Sequence, residues 1–308
     1  MPILFSLNTG VLALILAAVI FGATFAGLWI GRSLRDRGDT LREPLAVLQG
    51  SLLAVVGLIL AFGLTLAVGR YEARKAAVVD DANAIGTTNL RAQTLPEPIR
   101  SDSLQMLKTY TDTEIALSAA VPGSDESVAA AAAGSDLQRQ LWSLAGQALD
   151  RDPVGSATRL YVDSLNAMID QQTVHLAAMS NRVPGTVLAL EVLGAAAALG
   201  LLAVYLAVLG RGVLPVLLGA TLVAILLFVT FDLDRPTRGL IQVEPTALVA
   251  QRASMELPPA ATGPTYMISG ASTGSINCAR LVTLRLAAFR GTRKGPARRT
   301  CRSGGRGR

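Results

Sequence analysis

The chain has 308 residues, 51% of them hydrophobic and only 16% charged. That balance, gathered into four long apolar runs, excludes an ordinary soluble domain and points to an integral membrane protein. The net charge of +6 is local: ten of the 28 basic residues fall from Arg280 onward and no acid follows Glu256, leaving 18 basic against 22 acidic residues elsewhere, so the charge belongs to a tail and not to a nucleic-acid surface.

The two cysteines, Cys278 and Cys301, lie in that tail and frame no zinc or redox motif. The one histidine, His175, has no second histidine or nearby cysteine, and no Gly-rich phosphate loop is present. The sequence therefore names no catalytic, cofactor-binding or metal-ligating set, and the chain is not expected to be an enzyme. A lone histidine on a helix is expected to be a packed or partly exposed residue, because it lacks partner ligands.

In chain order, residues 11–30 form the first predicted span. Twenty residues at 1.5 Å each cover roughly the 30 Å hydrocarbon core. No Lys or Arg precedes the run and it is too long for a signal-peptide core, so it is expected to stay as a span. Trp29 suits an interface. A short Arg-rich loop, residues 31–44, ends at Pro44, which suits a helix start.

The second span covers residues 45–68. Gly50, Ala54, Gly57 and Ala61 share one face, where another helix can approach closely. Leu53, Val56, Leu60 and Leu64 form a bulkier neighbouring face. Phe62, Thr65 and Leu66 are candidate pore-lining residues, Phe62 and Leu66 as a hydrophobic constriction. With no proline until Pro96, the same helix continues through the charged exit at Arg70, Glu72, Arg74 and Lys75. Beyond it Asp80, Asn83, Thr87 and Arg91 form a polar stripe, read either as a solvated face or as a water-facing surface of an oligomer.

Three further helical stretches follow, near residues 99–120 (with Ser101 or Asp102 as cap), 128–149 and 156–182. Residues 70–182 thus read as an extramembrane helical domain. Leu160, Leu165, Met168, Ile169, Leu176 and Met179 are its expected buried stripe in the last stretch.

Spans three and four, residues 186–209 and 213–231, form an antiparallel hairpin. Glu191 lies close enough to the start of span three to snorkel to the interface, with a pore or intersubunit role as the alternative. Asp232 and Asp234 follow span four at a helix C-terminus, where acids oppose the dipole and call for cationic partners. Arg235, Arg238 and the basic exit of span two, Arg70 and Arg74, are the candidates. Residues 258–308 read as a disordered basic tail.

The stretches RYEARKAAVVDDANAIGTTNLRAQTLPEP (residues 70–98) and FDLDRPTRGLIQV (residues 231–243) resemble the two signatures of the bestrophin-like domain family, mostly bacterial membrane proteins. The resemblance covers residues 45–257. Bestrophins themselves are pentameric anion channels with four spans and a large helical domain between the second and third. The resemblance implies an all-α, multi-pass protein of the cell membrane, and a homo-oligomer, pentameric in that comparison, whose pore for inorganic ions is lined by span two. The alternative is a membrane-anchored helical sensor or scaffold without conductance.

Overall fold

The computed structural model describes residues 8–262. The tail beyond them, with Cys278 and Cys301, lies outside the described residues. Among the described residues the fold is all-helical: α1 (Thr9–Ser33), α2 (Gly38–Ala92), α3 (Ile99–Ala119), α4 (Asp125–Arg151), α5 (Ser156–Ser180), α6 (Gly185–Val208), α7 (Leu214–Leu233) and the short α8 (Thr246–Ser254). Four stretches, in α1, α2, α6 and α7, are long and apolar enough to cross a membrane.

Helix α2 has 55 residues, about 80 Å at helical rise and more than twice the hydrocarbon thickness. It therefore leaves the bilayer and becomes the central strut of the helical domain. It begins at Gly38, with Pro44 inside it, and not at Pro44 as the sequence suggested. The hydrogen bond that proline forfeits belongs to the opening turns of a very long helix, where its loss is tolerated. Helix α3 starts at Ile99 as expected, but the cap position is Pro98, with no side-chain cap, and not Ser101 or Asp102. Instead Glu97 accepts from the Ser101 amide at 3.2 Å.

The membrane half is built on small residues at two places. Helix α1 lies along α6 with backbones almost touching. A Cβ on Gly31 would sit 2.6 Å from the Val204 carbonyl oxygen, and one on Gly27 would collide with the carbonyl of Gly200. Between α2 and α6 the small side chains are on α6. Val56 and Leu60 of α2 are buried beside Ala195, Ala198 and Leu199 of α6 and Leu227 of α7. Both faces of this span were expected to pack; the bulkier one, with Val56 and Leu60, does, whereas the face of Gly50, Ala54, Gly57 and Ala61 is exposed within the chain. The close fit needs smallness on only one partner, and α6 supplies it: Gly194 leaves room for Val56.

The helical domain has its own core, with Ile85 of α2, Leu107 and Tyr110 of α3, Leu141 of α4, and Leu165 and Met168 of α5 fully buried. Burying each such side chain contributes about 1.5–3 kcal/mol. Val243, Leu248 and Met255 join this core. The domain is therefore made from two chain segments, one before the α6–α7 hairpin and one after it, and is not confined to residues 70–182. Tyr71 packs against both cores and marks their junction.

On α5 the buried stripe is rotated from the expected one. Leu165, Met168 and Met179 are buried, whereas Leu160 and Leu176 are exposed. Tyr161, Gln172 and His175 take the inner positions instead. The rotation turns polar groups inward because polar partners on α2, α3 and α4 meet them there.

Candidate functional site

The pore-lining candidates all lie on one continuous exposed face of α2. Phe62 is 61% exposed and Leu66 45%, and Thr65, Asp80, Asn83 and Thr87 are exposed as well. Gly50, Gly57 and Gly69 have no atom of their own chain within reach of an added Cβ. At 3.6 residues per turn, Ala54, Leu58, Ala61, Thr65 and Gly69 run in line with Glu72, Ala76, Asp80, Asn83 and Thr87, and every one is exposed. The face is apolar through the span and polar beyond it. Arg91 turns away from this face to hydrogen-bond the Leu160 carbonyl at 2.7 Å and Asp163 at 3.2 Å on α5.

At the membrane exit the structure brings together Arg74 and Asp234, at 3.3 Å, both fully buried. The Arg74 guanidinium also donates to the carbonyls of Leu233 at 3.0 Å and Asn181 at 2.6 Å, and Asp234 accepts from the Val183 amide at 2.9 Å. One arginine of α2 thus ties the ends of α5 and α7. Burial pushes the Asp234 carboxyl above its ordinary range despite the opposing pull of Val183 and Arg74. The lock accordingly specifies geometry more than it gains energy from charge.

Asp232 does not join that pair. Its carboxylate receives the amides of Leu240 and Ile241, each at 2.9 Å, and so folds residues 235–243 back over the end of α7. A Cβ on Gly239 would lie 2.5 Å from this carboxylate. Arg235 is buried near Asp232, and half-buried Arg70 stays outside the Arg74–Asp234 lock.

Glu191 does not snorkel. It is fully buried on α6, against Gly63 of α2, and neither carboxylate oxygen has a hydrogen-bond partner among the described residues. The physical reason is register: position 191 shares the inner face of α6 with Leu188 and Ala195, and that face is covered by α2.

The domain core holds a cluster that sequence reasoning missed. Asp81 of α2, Glu114 of α3 and His175 of α5 are all buried, and one donor atom of each lies within 4.8 Å of the others. His175 Nδ1 is 3.0 Å from Asp81 Oδ2, and its Nε2 is 3.2 Å from Ser118 Oγ. Gln172 donates to Glu114 Oε1, and Gln138 donates to Gln172 at 2.7 Å and to the Tyr110 hydroxyl at 3.2 Å. Burial, and then the charge of Asp81, push the Glu114 carboxyl up to about 8. Burial, with Glu114 next, pushes the Tyr110 hydroxyl upward.

A cavity of about 220 Å³, lined by Leu117, Ala120, Ser127, Met179 and others, ends on His175. Ser118, His175 and Asp81 have the hydrogen-bond order of a nucleophile, base and orienter. Ser118, however, is 1% exposed inside α3 and does not line that cavity. The signal available in sequence was polar residues at core spacing: Asp81 seven residues after Arg74 on α2, and Gln172 and His175 on the Leu165–Met168 stripe of α5.

No curated protein and no solved structure matches the chain. The model of the Bestrophin-like domain matches residues 13–248, a span that takes in nearly all of the four membrane helices, most of the helical domain and the Asp232–Ile241 turn. With that match over most of its length, this multi-pass helical chain belongs to the Bestrophin-like domain family.

Proposed function

We propose that the protein is a homo-oligomeric ion channel, anion-conducting by its family likeness, with α2 lining the pore. The observation that carries this reading is the uncovered face of α2, which is unbroken from the span into the helical domain. Small residues on it, Gly50, Ala54, Gly57 and Ala61, suit close approach by a second copy. Phe62 and Leu66 suit an apolar constriction, and Asp80, Asn83 and Thr87 suit a wet vestibule beyond it. In planar bilayers the purified oligomer is expected to give selective, saturating current. Phe62→Ala is expected to raise conductance, and Thr65→Val to alter it. Silence from a folded oligomer, or a monomer or closed dimer seen by electron microscopy, overturns the reading.

A second reading, a membrane-anchored sensor without conductance, is favoured by the cavity that ends on His175. It expects saturable binding of a small ligand to the full chain, lost when Ala131 is enlarged to Phe at the cavity wall. The full chain is needed because Val243, Leu248 and Met255 complete the domain core.

A further inference from the structure

Two buried carboxyl groups meet in a dry core, where a proton or a cation must offset their charge. Asp81 and Glu114 are each 0% exposed; Asp81 Oδ1 has no hydrogen-bond partner among the described residues, and the donor facing Glu114 besides Gln172 is the Tyr110 hydroxyl. An ionised carboxylate oxygen only accepts, so it needs a donor or a cation. Leaving a buried acceptor unsatisfied costs about 1–3 kcal/mol, and more when it is charged. The basic group in hydrogen-bond contact with this pair is His175.

We propose that Asp81, Glu114 and His175 form a binding site for a divalent first-row transition-metal cation of the zinc type, which joins helices α2, α3 and α5 inside the helical domain. The donor set chooses the class of metal. One imidazole with two carboxylates suits zinc, manganese or ferrous iron, whereas calcium takes six to eight oxygens and magnesium keeps several waters. Donor atoms on a tetrahedral zinc stand about 3.4 Å apart. The three groups already stand within 4.8 Å of one another, and binding requires them to close to that spacing.

The surroundings hold the ligands in place, as outer partners of metal ligands do. Gln172 fixes one oxygen of Glu114 and is itself fixed by Gln138, while Ser118 meets the second nitrogen of His175. A Cβ on Gly134 would lie 2.7 Å from Gln172 Nε2 and 3.1 Å from Glu114 Oε1, so the glycine makes room for this shell. Of the three ligands, His175 also lines the cavity of about 220 Å³.

The test uses tag-free full-length protein in detergent, with Cys278→Ser and Cys301→Ser to remove the two thiols. After stripping with a chelator, zinc is titrated by calorimetry and counted by elemental analysis. One zinc per chain is expected, with a rise in unfolding temperature. Glu114→Gln, which keeps the acceptor for Gln172, and His175→Gln are each expected to weaken binding by at least about tenfold and to abolish the thermal shift. X-ray absorption of the zinc-loaded protein is expected to show one imidazole among oxygen donors, and because His175 is the only histidine that signature assigns the site. It also decides the matter if a variant fails to fold. Absence of binding, equal binding by the variants, or a zinc shell without imidazole overturns the proposal and leaves a network neutralised by protons alone.

Discussion

Arg74 of α2 and Asp234 at the end of α7 form an ion pair at 3.3 Å with no solvent exposure on either side chain. Breaking a buried pair from one side typically costs about 3–5 kcal/mol, because the other charge is left uncompensated. Asp234→Ala should therefore destabilise by that amount in thermal unfolding in detergent. The reversed pair, Arg74→Asp with Asp234→Arg, should not restore stability. A carboxylate at position 74 would face the carbonyls of Leu233 and Asn181, and the Val183 amide would lose its acceptor. Near-complete recovery by the reversed pair would mean that charge alone matters.

The turn after α7 depends on Asp232 in a different way. Its carboxylate receives two backbone amides, and Gly239 leaves the space it needs. Gly239→Ala should push the carboxylate off those amides and cost about 1–3 kcal/mol, the range for overpacking. The local readout is trypsin cleavage after the exposed Arg238. It should speed up in Gly239→Ala and in Asp232→Ala while the helical content stays unchanged.

The seam of α1 on α6 is a backbone contact, so it should tolerate no side chain. Gly27→Leu would drive a side chain into the Gly200 carbonyl, and it is expected to detach α1 from α6. Amide hydrogen exchange along α1 should be slow in the parent and markedly faster in Gly27→Leu. Unchanged protection of α1 in the variant would show that the helices can slide to a new register.

The spans were legible because each is a run of about twenty apolar residues, a signal set by bilayer thickness alone. The seam was legible too, in the GLWIG stretch at Gly27–Gly31, but the packing expectation was placed on both faces of α2, of which only the bulkier packs. The exposure of the small-residue face reflects a fact no single helix reveals: α6 brings its own small residues to the α2 contact. The Asp81–Glu114–His175 cluster was hidden more deeply. Asp81 and His175 are 94 positions apart, and Asp80, one step from Asp81, carried the visible polar stripe. One residue along a helix is a turn of about 100°, enough to send Asp80 to solvent and Asp81 into the core. The core seats of Arg74 and Asp81 become meaningful only once α5 and α7 supply partners.

Glu191 and Gly63 give a prediction that separates packing from function. Intramembrane acids are costly and often serve a pathway, yet this carboxylate is sealed between α6 and α2 with no exposed surface. Replacing it by an apolar side chain of similar length, Glu191→Met, should remove two unsatisfied acceptors and raise stability by about 1–3 kcal/mol, with the oligomeric state unchanged. Gly63→Ala should destabilise the parent, because the new methyl would occupy the place of the carboxylate. In a Glu191→Ala background the same change should be nearly neutral. The coupling between the two positions should then be about 1–3 kcal/mol, within the range for residues in contact. A double-mutant cycle of unfolding temperatures measures it. A coupling near zero, or a loss of stability in Glu191→Met, would mean that the carboxylate has a partner in the assembled protein.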